Sequence, residues 1–146
     1  ENAIAVCRER APAIAQAVAQ PGLRIGRTSH KLRNPANAAP DWAAPLLAAY
    51  VAGERAGDAA ALALGGGRTG YVEPLVTAPM CLACHGEALA PAVAAKLAAL
   101  YPEDRAIGFR AGELRGLAWV EVGAAEVDET VSGVRPERAD GSSESQ

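Results

Sequence analysis

The string Cys81-Leu82-Ala83-Cys84-His85 is where residue type and spacing point most clearly to chemistry. Two thiols three positions apart can each add to one vinyl group of haem, and the next residue then offers an imidazole to the iron from one face. The string therefore predicts one haem c, attached through Cys81 and Cys84, with His85 as the proximal iron ligand. Other uses of paired thiols fit less well. A thioredoxin-like redox pair needs C-x-x-C at a helix N-terminus behind a strand of a βαβ unit, whereas Tyr71 to Val76 reads as half of a hairpin. A zinc site could draw on Cys7, Cys81, Cys84 and one of His30 or His85, but the second ligand pair of a compact zinc module is missing. A Cys81–Cys84 disulfide would leave His85 without a role.

The sixth iron ligand is an open question at this level. Met80, the single methionine, directly precedes the attachment string and is badly placed to reach the opposite face of a tethered haem. Cys7, His30, Lys31, Lys96 or an open position remain. Cys7 is the odd one of three cysteines. A free thiol in an oxidising compartment needs a reason, although an unpaired cysteine also serves as a small buried hydrophobe.

The elements that must position these groups read as follows. Residues 2 to 19 carry Ile4, Val6, Ile14 and Val18 on an alanine background and predict a helix ended by Pro21-Gly22. Leu23 to Leu32 alternates like a half-buried strand. Asp41 is placed to cap a helix from Trp42 to Gly53, with Pro45 tolerated in its first turn. Ala61 to Leu64 and Tyr71 to Val76 form a hairpin around a wide glycine turn, and Pro74 asks for an edge or a bulge. Pro91 to Leu100 is a short helix opened by proline. Phe109 and Leu114 to Val122 read as two final strands joined near Gly112. The pattern favours an α+β domain with an antiparallel sheet. One domain over 1–134 is expected, followed by a disordered polar tail over 135–146.

Composition bounds the function further. Half of the 146 residues are hydrophobic, but 35 are alanine, and Ile, Leu, Val and Phe together number only 29. Such a core is thin, and an inserted apolar cofactor would fill it. A net charge of −3 argues against general nucleic-acid binding. No apolar stretch approaches the roughly 20 residues of a membrane span. The start at Glu1, without a methionine, is what removal of a targeting segment would leave. Gly65, Gly67 and Gly70 match a nucleotide-binding spacing but precede a strand, so a hairpin turn explains them better. Arg24, Arg27, Lys31 and Arg33 form a basic cluster, from which Arg27 and Arg33 are candidate partners for haem propionates. No hydrolase triad or paired catalytic carboxylates can be assembled. A haem enzyme of peroxidase type and a zinc-stabilised interaction module are the competing functional classes.

Several further motifs surround the attachment string: Cys7 in the N-terminal helix, Arg27-Thr28-Ser29, Lys31-Leu32-Arg33-Asn34-Pro35-Ala36-Asn37, Glu73-Pro74-Leu75-Val76, Tyr101-Pro102-Glu103-Asp104 and Gly112-Glu113-Leu114-Arg115-Gly116. From about Ala3 to Val122 the chain resembles the PAS-like c-type haem domain family first described from cyanobacteria. The resemblance implies a PAS-like antiparallel sheet with flanking helices and covalently bound haem, His85 as proximal ligand and Cys7 as distal ligand. It also implies export to the periplasm and a role in redox or gas sensing, with NO or CO as small ligands, or in low-potential electron transfer. A redox or signalling partner protein is implied without being specified.

Overall fold

The structure is a computed structural model that describes residues 4, 9–10, 13–15, 17, 21–55 and 57–123. Ile4, Glu9, Arg10, 13–15 and Ala17 are helical, in line with the alanine-rich pattern at that end. Cys7 and the 135–146 tail lie outside the described residues.

Four strands form one antiparallel sheet: β1 (Leu23–Thr28), β2 (Ala60–Gly65), β3 (Arg68–Val76) and β4 (Leu114–Val122), in the order β1-β4-β3-β2. Strand β1 stops at Thr28 rather than Leu32 because Ser29 leaves the ladder. Its hydroxyl donates to the Arg115 carbonyl, and the Lys31 N–H turns back onto the same oxygen. The β2–β3 hairpin is tighter than its glycine run suggests. Gly65 pairs with Arg68, and Gly66 and Gly67 turn the chain with φ of 58° and 73°, which residues with a Cβ resist. Pro74 lies beyond the last β2 pairing, where β3 has a neighbour on the β4 side alone, so its missing N–H costs nothing.

Helix α1 (Ala44–Val51) packs on one face of the sheet. It begins later than Asp41 implies. The Pro40 carbonyl accepts the N–H groups of both Ala43 and Ala44, and no side chain caps the helix. Its Leu47 and Tyr50 join Ala43, Val72 and Leu117 in the core, with Trp42 and Trp119 at the edge. The two indoles meet edge to face, and each lies over a glycine of a neighbouring strand: Trp42 on Gly70 and Trp119 on Gly26. Glu121 is buried on this face and is held by Arg24, Arg68 and the Trp42 indole at 3.0–3.3 Å. That network joins β1, β3 and β4 at the far end of the sheet, so Arg24 from the basic cluster has a structural partner.

The 77–113 connection between β3 and β4 carries the attachment string. It contains a 3₁₀ turn (Pro79–Cys81), the short helix α2 (Leu82–His85) and helix α3 (Pro91–Leu100). Phe109 is not in a strand, which corrects the two-strand reading. Its N–H donates to the His85 carbonyl and that of Gly108 to Gly86, so this stretch pairs with the cysteine string instead of the sheet.

Strand β4 opens on a bulge. Leu75 and Val76 oppose Gly116 and Leu114, leaving Arg115 as the extra residue. Gly116 makes the bulge possible: its φ is +156°, and a Cβ would stand 2.0 Å from the Thr28 carbonyl oxygen. Gly116→Ala is expected to cost about 2–3 kcal/mol of stability, read as a lower urea midpoint.

Candidate functional site

The site lies at the end of the sheet where β1 and β3 finish and β4 begins. The turn Pro79–Cys81 feeds α2, so Cys81 and Cys84 stand three positions apart, as half-buried free thiols, with His85 at the helix end. One side chain from a distant segment fixes this loop. Arg33 donates to the Cys84 carbonyl at 2.6 Å and the Ala106 carbonyl at 3.3 Å, and it pairs with Asp104 at 3.0 Å. Asp104 in turn accepts the Ala106 N–H at 2.8 Å. Arg33→Ala is therefore expected to lower stability by about 2–3 kcal/mol, because three acceptors lose a charged donor in a largely buried setting. A thermal melt checks this.

His85 is held at both ring nitrogens. Nδ1 is 2.8 Å from the Ala106 carbonyl, an acceptor, so that nitrogen carries the proton. Nε2 then presents its lone pair, and the Arg115 guanidinium stands 3.0 Å from it. Burial pushes the His85 pKa below its ordinary value of 6.5, helped by the Arg33 and Arg115 charges and opposed by the Ala106 bond and Asp104. The imidazole is thus neutral at pH 7, the form that ligates metals. A carbonyl on Nδ1 that leaves Nε2 to face outward is the usual support for a metal-bound histidine.

Arg115 is itself half-buried, and burial together with the nearby Arg27 and Arg33 charges pushes its pKa down. Arg27 therefore belongs to the electrostatic surroundings of the site. Arg33 belongs to it as well, but all the interactions above commit its guanidinium to Asp104 and two carbonyls. His30 is exposed and is separated from His85 by Phe109, whose ring lies edge-on to both at centroid distances of 5.6 and 6.2 Å. Lys31 sits over that same Phe109 ring at 4.6 Å, and its Nζ reaches the Ile107 carbonyl. Neither His30 nor Lys31 meets His85. Met80 is 84% exposed.

Among the described residues, no three His, Cys, Asp or Glu side chains converge as a metal site. Cys7, a member of the zinc set that the sequence could offer, lies outside the described residues. Among the described residues, no helix is long and apolar enough to cross a membrane. Asp104, Ala106, Phe109 and Arg115 are site residues that spacing alone did not single out. Asp104 lies in the flanking motif Tyr101-Pro102-Glu103-Asp104 and Arg115 in Gly112-Glu113-Leu114-Arg115-Gly116, whereas Ala106 and Phe109 lie in neither.

The fold and the sequence can be set beside known proteins. The family model described as Tll0287-like matches residues 3–122. The crystal structure of the cyanobacterial heme-protein Tll0287 superposes with a TM-score of 0.62 at 30% identity, covering 81% of this chain and 71% of that one. No curated protein matches the chain. The family match spans most of the sequence, including the cysteine string, the Arg33 loop and the β4 bulge, and the chain belongs to the Tll0287-like family.

Proposed function

We propose that this chain is an exported c-type cytochrome carrying one haem, bound through Cys81 and Cys84 and ligated by His85, that works in redox sensing or low-potential electron transfer. The observation that carries the reading is the paired support of the attachment string. Two free thiols stand at the C-x-x-C spacing, and the adjoining imidazole has Nδ1 tied to a carbonyl, so that Nε2 carries the lone pair a metal would take. The haem protein Tll0287, at 30% identity over a matching fold, supports the same cofactor.

When bound, haem supplies a one-electron Fe(III)/Fe(II) couple. The chain's own groups set its surroundings. Cys81 and Cys84 tether it at two points, Ala106 fixes the imidazole tautomer and orientation, and Arg33 with Asp104 holds both the cysteine loop and the Ala106 loop in place. Register places Ile25, Val120 and Tyr71 side by side on the sheet face away from α1, next to Arg27, Ala118 and Glu73. This strip offers apolar area for a flat macrocycle beside the motif.

Cys7 is the proposed second ligand, on the strength of the family resemblance and its status as the odd cysteine. A thiolate on the iron would stabilise Fe(III) and lower the potential well below that of His/Met ligation. Reduction or a competing ligand such as NO or CO would then displace the sulfur and free the N-terminal segment, the behaviour of a sensor.

The test is a spectrum of the purified, exported protein before and after acid-acetone extraction. A Soret band that stays with the polypeptide is expected, and its absence overturns the reading. Cys7→Ala is expected to shift the ferric spectrum and raise the potential. An unchanged spectrum removes Cys7 from the iron without touching the haem assignment.

A further inference from the structure

Arg115 poses a conflict that the site as described leaves unresolved. Its Nη1 stands 3.0 Å from His85 Nε2, on the lone pair that a metal would use. A metal–imidazole bond is about 2.0–2.1 Å long, so metal and guanidinium cannot share that nitrogen. One must displace the other. Arg115 is the extra residue of the β4 bulge, a feature that re-aims a side chain locally without moving its strand. It is half-buried, with Arg27 and Arg33 as cationic neighbours.

Those neighbours show where a displaced guanidinium finds a partner. The Asp104 carboxylate answers Arg33 at 3.0 Å. Arg27 is exposed on β1, and among the described residues no carboxylate pairs with it. Two cations at one end of a sheet face, one of them partly desolvated, form a receptor for an anion. Haem carries two carboxylates on the edge opposite its vinyl groups, and burying those carboxylates requires charged partners.

We propose that Arg115 is a two-position positioning residue: it donates to His85 Nε2 in one position and, beside Arg27, to a carboxylate of the bound tetrapyrrole in the other. The inference rests on the haem reading above and adds to it. With haem bound, Arg115 would give up Nε2 to the metal and stand beside Arg27 as a carboxylate partner. The set of candidate propionate partners changes accordingly: Arg115 joins Arg27, while Arg33 stays with Asp104.

The test compares the midpoint potentials of the haem-loaded full chain as wild type, Arg115→Gln, Arg115→Lys and Arg27→Gln, with haem content and melting temperature measured alongside. Loss of a cation next to a carboxylate favours Fe(III), so Arg115→Gln is expected to shift the Fe(III)/Fe(II) balance toward Fe(III) by on the order of tenfold. Arg27→Gln should shift it the same way by less, and Arg115→Lys should restore most of the wild-type value. A merely structural arginine would change the melting temperature and leave the potential unmoved, which overturns the proposal. Should Arg115→Gln not be recovered folded, an unchanged potential in Arg27→Gln also overturns it. A wild type without a covalent Soret band sinks the haem reading and this inference together. A wild type with the band and insensitive variants sinks this inference alone.

Discussion

His85→Ala is expected to leave haem attached through Cys81 and Cys84 while removing the imidazole from the iron, and this should be the largest spectroscopic change of any single substitution in the described site. The low-spin His-ligated spectrum should be lost completely, and added imidazole should restore much of it by entering the space the ring leaves. The reason is geometric. His85 directly follows Cys84, its Nδ1 is held by Ala106, and its Nε2, 3.0 Å from the Arg115 guanidinium, carries the lone pair a metal would use. No other described histidine can replace it, because Phe109 stands between His30 and the site. His30→Ala is the matching control and should leave the spectrum unchanged. His85→Ala should also lower stability by about 1–2 kcal/mol, since the Ala106 carbonyl loses its donor. An unaltered spectrum in His85→Ala would show that the iron is held elsewhere.

Membership of a haem-protein family was legible in the cysteine string and the motifs around it. A tether that joins two thioethers and a ligand to one ring needs them in consecutive turns of chain, so C-x-x-C-H carries its meaning in five residues. The helices and the β2–β3 hairpin were legible for a similar reason, since proline, glycine and apolar spacing act over a few positions. What spacing could not supply was the set of long-range partners. Arg33 looked like one member of a basic cluster, but its partners are 51 to 73 positions away. Glu121 carried no signal beyond its place in the Leu114 to Val122 strand, yet two arginines and an indole converge on it. Phe109 read as part of a strand joined to Leu114–Val122 near Gly112; its N–H instead meets the His85 carbonyl. The bulge that aims Arg115 had no local signal, although the residue stands in a motif of its own, because a bulge appears only when two strands are set in register.

A chain that cannot attach haem, such as the Cys81→Ala/Cys84→Ala double variant, is expected to lose its cooperative melt, and here the thin core inferred from composition acquires a location. The face of the sheet under α1 is well filled by Leu47, Tyr50, Val72 and Leu117. The opposite face presents Leu23, Ile25, Tyr71, Val120 and Val122 in register, with Tyr71 39% and Val122 45% exposed. Without a flat apolar body to lie against it, that face contributes little to stability, and a four-stranded sheet packed firmly on one side only is marginal. Acid should weaken the haem-free chain further. His85 titrates near 6.5 when unfolded and lower when folded, chiefly because it is buried, so below pH 6.5 the unfolded chain binds more protons than the folded one. The stability this neutral imidazole supports is therefore present above pH 6.5 and lost as the pH falls toward and through its lowered folded value. Circular-dichroism melts at pH 8 and pH 5 decide the matter: a double variant that unfolds as sharply and at the same temperature as the loaded protein would show that the polypeptide needs no cofactor to complete its fold.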